Sequence, residues 1–392
     1  MIRHLFKLIW NRRKSNFLLI AEIFFCFLVL FGVLSLVVYN VRNYNKPLGF
    51  EYDNVWLLTM RPNTDSAALK RQNLEQVLQR ARAFQEVESI SLSSSNAPFS
   101  FSQMNNNVTY NNKQIMANFY EVQDDFADVM RVQVSHGRWF GPQDDASRHI
   151  PIVINEELQQ QLFGDEDPLG KLIPQNDSTN FQVVGVVANY RPGSEYTAEE
   201  PGFFTRILLP KDENAFWGEM LIRVKPGTGI AFEEKMVKEF SGIAKDWTLE
   251  VTTLDKMRQN KAKLAVVPLI ALAIVCGFLI FNVALGLFGV LWYNINKRYA
   301  EIGLRRAMGA TAGQIYKQFL GEVVVVTTFG LMLGCFFAVQ FPLLGVFDLS
   351  PGVYMTAILT AIASIYILVI SCALYPSRQA AAIHPATALH EE

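Results

Sequence analysis

Four apolar runs constrain this 392-residue chain more than any other feature: residues 17–39, 264–295, 323–341 and 353–375. Wound at about 1.5 Å per residue, each is long enough to cross a hydrocarbon core of about 30 Å. Lipid offers the backbone no water to bond, so runs of this kind must be helices. The first stands near the start and the other three crowd the last third. Residues 45–260 between them are polar enough for an aqueous domain. The fold expected is an α-helical membrane protein: four transmembrane helices plus a mixed α+β extracytoplasmic domain inserted between helices 1 and 2.

Charge sets the orientation. Residues 1–16 carry Arg3, Lys7, Arg12, Arg13 and Lys14 and no acid, and Leu5, Leu8 and Ile9 offer an apolar stripe to the inner membrane surface. The run that follows is too long for a signal-peptide core and no small-x-small site ends it, so it reads as a retained anchor. By the positive-inside rule its basic flank stays in the cytoplasm. The domain of residues 45–260 then lies outside and 296–322 inside. The turn 342–352, with Asp348 as its one charge, lies outside, and the tail 376–392 returns inside. Glu22, in the first run, is either a functional acid or a side chain that snorkels or pairs at headgroup level. Asn282 either bonds across a helix interface or is merely tolerated. Gly330 and Gly334 stand in GxxxG register for close packing, most simply within one chain.

In residues 45–260, β-branched and alternating runs predict strands at 54–60, 89–92, 114–122, 129–135, 150–154, 181–187, 203–209, 219–224 and 248–253. Helical spacing predicts 64–84, 156–163 and 229–244, and the Ser/Asn-rich 93–112 reads as loop. Strand–helix–strand at both ends around a strand-rich middle suggests two subdomains, one inserted into the other.

Chemistry is scarce in this domain. All four cysteines lie in the apolar runs, so it holds no disulfide, and the five histidines show no ligand spacing. Lys and Arg number 35 against 36 Asp and Glu, a balance that offers nucleic acid no basic face. Asp124, Asp125, Asp144 and Asp145 read as turn and strand-end residues. Gly164, Gly170 and Lys171 superficially form a phosphate-binding loop, but one residue too many separates the glycines. Leu172 also stands where Ser or Thr would hold a metal, so a turn into a strand is the expectation.

The cytoplasmic stretch 296–322, NKRYAEIGLRRAMGATAGQIYKQFLGE, is the most informative. Glu301 and Arg305 are a favourable i,i+4 pair, Gly309 is placed to end a helix, and Thr311 with Gln314 forms a capping box that starts the next. Its EIGLRRAMGA run resembles the loop after the second membrane helix of MacB/FtsX-type ABC transporter permeases. Residues 137–144 (GRWFGPQD) and 153–187, with VINEE, LFG, DPLGK and VVGVV in order, resemble that family's extracytoplasmic domain. The tail YPSRQAAAIHPATALHEE resembles its closing motif, with His384 in place of the usual acidic or polar residue.

The resemblance implies that the loop is a coupling helix docking on a separate ABC-type ATPase. Glu301, Ile302, Gly303, Leu304, Arg305, Arg306, Ala307, Gly309 and Ala310 are then its contact residues. It further implies a non-catalytic permease subunit in a bacterial inner membrane, with N- and C-termini cytoplasmic. No cofactor is expected in this chain, ATP and magnesium being bound by the partner. The partners implied are that ATPase, membrane lipid and a second permease chain in a homodimer or heterodimer. A periplasmic adaptor or outer-membrane protein is compatible with it. The function expected is ATP-driven motion of the outside domain, mechanotransmission, for export or extraction. A sensor or regulator of the same architecture is the alternative.

Overall fold

The computed structural model of the chain describes residues 13–63, 66–175, 179–208 and 216–383. The stripe expected at Leu5, Leu8 and Ile9 and the closing motif from His384 onward lie outside the described residues. The chain divides into two compact units, Met1–Arg42 with Val266–Glu392, and Asn43–Ala265. Helix α1 (Arg13–Tyr44) buries Leu19, Ile23, Cys26, Phe27, Leu30 and Phe31, one stripe at the 3.6-residue period.

The second unit begins its regular structure with β1 (Val55–Pro62), α2 (Ala67–Arg82) and β2 (Val87–Ser93). The chain then makes a long excursion. It passes through β3 (Asn105–Tyr110), β4 (Lys113–Val122), α3 (Phe126–Met130), β5 (Val134–Gly137), β6 (Ile150–Asn155) and α4 (Glu156–Leu162). Strands β7 (Leu172–Pro174), β8 (Asn180–Val187) and β9 (Gly202–Arg206) follow before the return in β10 (Glu219–Val224), α5 (Ile230–Ile243) and β11 (Trp247–Thr253). All strands join one 11-stranded sheet of order β11-β1-β10-β2-β4-β9-β6-β8-β5, with β3 beside β4 and β7 beside β8. Neighbouring strands in the run β11, β1, β10, β2 are antiparallel. With α2 and α5 they make the split-βαβ arrangement of ferredoxin-like folds. The excursion replaces the turn between the second and third strands of that unit. Its sheet joins the rest where Ser93 pairs with Val122.

Strand alternation builds the cores. Trp56, Leu58 and Met60 face α2 and α5, whose Leu74, Val77, Leu78, Phe232, Met236 and Phe240 close the first core. Val55 and Leu57 point the other way, into a core with Phe126, Val129 and Met130 of α3. In the excursion Ile152 and Ile154 pack with Leu158 and Leu162 of α4, while Val153 joins the α3 side. Two buried arginines meet backbone carbonyls. Arg223 donates to the oxygens of Val129 (2.6 Å), Glu51 (3.0 Å) and Asp53 (3.1 Å). Arg191, 1% exposed, donates to those of Lys46, Pro47, Glu195 and Thr197. Between them they fasten the segment that follows α1.

Two expectations are corrected. The strand expected over 129–135 is split: Val129 and Met130 end α3, Arg131 turns left-handed at φ 50°, and β5 starts only at Val134. Phe126, Val129 and Met130 stand at i, i+3, i+4, so burying them together selects a helical turn over β propensity. The loop expected over 93–112 contains β3. Asn111 and Asn112, at φ 47° and 64°, make the two-residue turn of a β3–β4 hairpin in which Tyr110 pairs with Lys113.

The other unit resumes at Val266 within α6 (Leu254–Lys297) and continues with α7 (Tyr299–Ala307), α8 (Ala312–Ala338), α9 (Gln340–Leu343) and α10 (Pro351–Ala382). Among the described residues four helices, α1, α6, α8 with α9, and α10, are long and apolar enough to cross a membrane. Their common core holds Ile23 and Phe27 of α1, Leu287 and Leu291 of α6, Val326 and Leu331 of α8, and Ala361, Ile365 and Val369 of α10. Phe288 and Trp292 of α6 stack with Tyr375 of α10 in an aromatic ladder.

Candidate functional site

The turn from α6 to α8 carries the residues singled out in the sequence. Arg298 precedes α7, and the helix is closed at its far end by two bonds. Gly309 N–H donates to Arg306 O (3.1 Å) and Ala310 N–H to Arg305 O (3.0 Å). That double closure needs a left-handed residue, which Gly309 supplies at φ +99°. The expected capping box is made: Gln314 N–H donates to Thr311 Oγ1 (3.3 Å), and Thr311 N–H to Gln314 Oε1 (2.9 Å). The C-terminal end of the short helix α7 and the N-terminal end of α8 are thereby both satisfied.

One face of α7 is inside. Ile302 packs with Ile295 of α6, Ile315 and Phe319 of α8, and Ala380 and Ile383 at the end of α10, and Gly303 is buried beside it. The opposite face is open: Leu304 is 51% and Met308 73% exposed, with Ala307 exposed between them. The Glu301–Arg305 pair expected from the i,i+4 spacing is made, and it belongs to a larger set. Arg305 donates through Nη2 to Glu301 Oε1 (2.6 Å) and through Nη1 to Gln318 Oε1 (2.7 Å). Gln318 Nε2 donates to Glu322 Oε1 (3.1 Å), and Arg298 Nη1 to Glu322 Oε2 (2.8 Å). Glu301 and Arg305 are therefore engaged within the chain, while Arg306, half-buried, stays outside this set. Arg298, Gln318 and Glu322 were missed in the sequence. Ala310, beyond the turn, packs at the edge of the Ile302 cluster.

The intramembrane candidates are also placed. Asn282 Nδ2 donates to Phe278 O of its own helix (2.7 Å), an internal bond one turn back. Glu22 lies against Gly286 of α6, where a Cβ would stand 3.1 Å from its carboxyl carbon. Gly330 and Gly334 both face α1, at Ile23 and Phe27, so the GxxxG register packs two helices of one chain.

In the α/β domain the acids have structural partners. Asp124 and Asp145 both bind Arg206, Asp125 pairs with Arg82, and Asp144 takes a bidentate grip on Arg138 at 2.6 and 2.7 Å. That guanidinium holds the Asp144 carboxyl below its usual range. Lys171 pairs with Glu166, and Leu172 opens β7, so the phosphate-loop look-alike is a turn into a strand. Among the described residues no group of His, Cys, Asp or Glu could hold a metal. An open cleft of about 610 Å³ is lined by Met60, Met104, Glu121, Trp217 and Glu219 among others. Burial raises the Glu219 carboxyl there to about 7.

Four membrane-length helices, an α/β domain between the first and second, and a capped amphipathic turn between the second and third define a permease-like membrane protein. Residues 17–238 match the MacB-like periplasmic core domain and residues 273–385 the FtsX-like permease C-terminal domain. The chain belongs to the MacB/FtsX-type permease family, and its α/β domain is the extracytoplasmic part of an inner-membrane protein. It is 24% identical over 298 residues to the macrolide export ATP-binding/permease protein MacB of Neisseria gonorrhoeae, covering 73% of this chain and 45% of that protein. MacB 2 of Aeromonas hydrophila is 26% identical over 305 residues, with the same two shares, 73% and 45%. The chain thus spans about half the length of the curated relatives it matches. Among solved structures, the periplasmic region of MacB from Actinobacillus actinomycetemcomitans aligns at a TM-score of 0.39 and 18% identity, over 56% of this chain and 95% of that one. The extracellular domain of the transporter YknZ from Gram-positive bacteria aligns at 0.37 and 14%, over 50% and 100%.

Proposed function

We propose that the chain is the membrane subunit of an ABC transporter and that a separate ATPase bears on α7. Hydrolysis of ATP, with its magnesium, takes place on that partner, and this chain contributes no catalytic group. The push reaches the extracytoplasmic domain as motion, for export or extraction of a substrate. The observation that carries this reading is the open face of α7. Leu304, Ala307 and Met308 present an apolar strip on a helix whose other side is packed into the bundle. A capped, well-seated helix with a bare apolar ridge is made to enter a groove on another protein. The basic residues Lys297, Arg305 and Arg306 near it support a cytoplasmic side for this turn, and with it for both termini. The exposure of Ile270, Ile274, Phe278 and Phe281 on α6 suits a second permease chain, identical or paralogous, as well as lipid. Relatives bear the name macrolide export ATP-binding/permease protein, which makes macrolides one substrate class to try.

The test is affinity purification of the full chain from its native membrane in mild detergent, with mass spectrometry of co-purifying proteins. Wild type should bring an ABC-type ATPase, and Leu304→Glu with Met308→Glu should lower its recovery at least about tenfold at equal permease yield. Undiminished recovery would remove α7 as the docking element. A kinase or hydrolase in place of an ATPase would favour a regulator of the same architecture.

A further inference from the structure

Arg298 is the least exposed charge of the α6–α8 turn. Its side chain is 6% exposed and that of its partner Glu322 is 18%, whereas Arg305 and Glu301 are 35% and 45% exposed. The guanidinium lies 5.5 Å over the Phe319 ring, and its Nε stands 3.9 Å from Glu301. A buried ion pair resists separation because parting it leaves a charge in a poor solvent without a partner. Glu322 also accepts from Gln318, and Gln318 accepts from Arg305. Five side chains therefore close a ring: Arg298, Glu322, Gln318, Arg305 and Glu301. The ring holds α7 twice, just before its first residue through Arg298 and in its last turn through Arg305. One attachment would let a nine-residue helix rock about it, and two at opposite ends do not.

We propose that Arg298 and Glu322 are positioning residues. Their pair fixes the pitch of α7 against the first turns of α8, so that a load on Leu304 and Met308 moves α8 instead of tilting α7. The consequence for hydrolysis rests on the coupling reading above, whereas the clamp itself does not.

The experiment uses the full chain in lipid nanodiscs, as wild type, Arg298→Glu, Glu322→Arg and the double charge swap. Hydrogen exchange over residues 299–308 reads the clamp. ATP hydrolysis by the co-purified ATPase reads its consequence. Each reversal should speed exchange there about tenfold or more. It should also lower permease-dependent stimulation of hydrolysis about fivefold, with ATPase recovery unchanged. The swap should restore both, a rescue that loss of packing alone would not give. Should a reversal fail to insert, Arg298→Gln and Arg298→Lys carry the same comparison, Lys falling nearer to wild type. Exchange equal to wild type in the single variants overturns the proposal. So does fast exchange with full stimulation, or a swap no better than either reversal. If wild type brings no ATPase, the coupling reading fails and the exchange measurement alone decides the clamp.

Discussion

A single methyl group decides how closely α1 and α8 can approach. A Cβ at Gly334 would collide with the ring of Phe27, and one at Gly330 would stand 2.9 Å from Ile23 Cγ2. Gly334→Val should therefore cost about 1–3 kcal/mol, the usual range for overpacking a tight interface. Thermal unfolding of the full chain in detergent reads this as a lower midpoint, and Phe27→Ala added to Gly334→Val should recover part of it. Equal midpoints for wild type and Gly334→Val would show that α1 and α8 do not pack there. At this scale the sequence was informative wherever partners are neighbours. The Glu301–Arg305 pair, the Thr311–Gln314 box and the break at Gly309 follow from spacings of three or four. Arg298 and Glu322 are 24 positions apart, and only the reversal of chain direction between α6 and α8 brings them together. The contact of Glu22 with Gly286 is equally invisible before the helices are packed.

Helices and strands were legible where burial is periodic. Helices α2 and α5 announce themselves by an apolar face at helical spacing, and β10 by a nearly continuous buried run. Strand β3 does not, because NNNVTY carries one buried side chain, Val108, and its structure comes from the hairpin turn and its partner β4. Strand β10 also carries a pH dependence. Burial lifts the Glu219 carboxyl from an ordinary 4.5 to about 7, with Oε2 buried and unpartnered. Folding thus favours its neutral form, so its contribution is fully present below about pH 4.5 and lost as pH rises through about 7. Glu219→Gln should raise the unfolding midpoint at pH 8, change it little at pH 4.5, and flatten the slope between. Parallel profiles for the two proteins would show that Glu219 is solvated in the folded chain.

For the whole molecule, the apolar runs dictated the four membrane-length helices and the place of the α/β domain, and the EIGLRRAMGA stretch dictated the family. The strand order of the domain was beyond the sequence, since pairing at long range depends on which strands meet and not on what each contains. That order has a consequence for how such proteins diversify. The chain leaves the ferredoxin-like unit after Ser93 beside the point where it returns at Glu219, the two being paired directly opposite each other on neighbouring strands. A gene segment encoding the intervening lobe can be exchanged for another through two crossover points that are far apart in the gene and adjacent in the fold. Such an exchange has to remake the Ser93–Val122 junction, the cover that α3 gives to Val55, Leu57 and Leu221, and the bonds of Arg191 to Lys46 and Pro47, of Arg223 to Val129, of Arg258 to Glu195 and of Lys261 to Ser100. Arg258 and Lys261 near the start of α6 meet the lobe, whereas the bonds of the α7 turn run to α8, so one lineage can acquire a new lobe by recombination while the α7 turn is inherited unchanged.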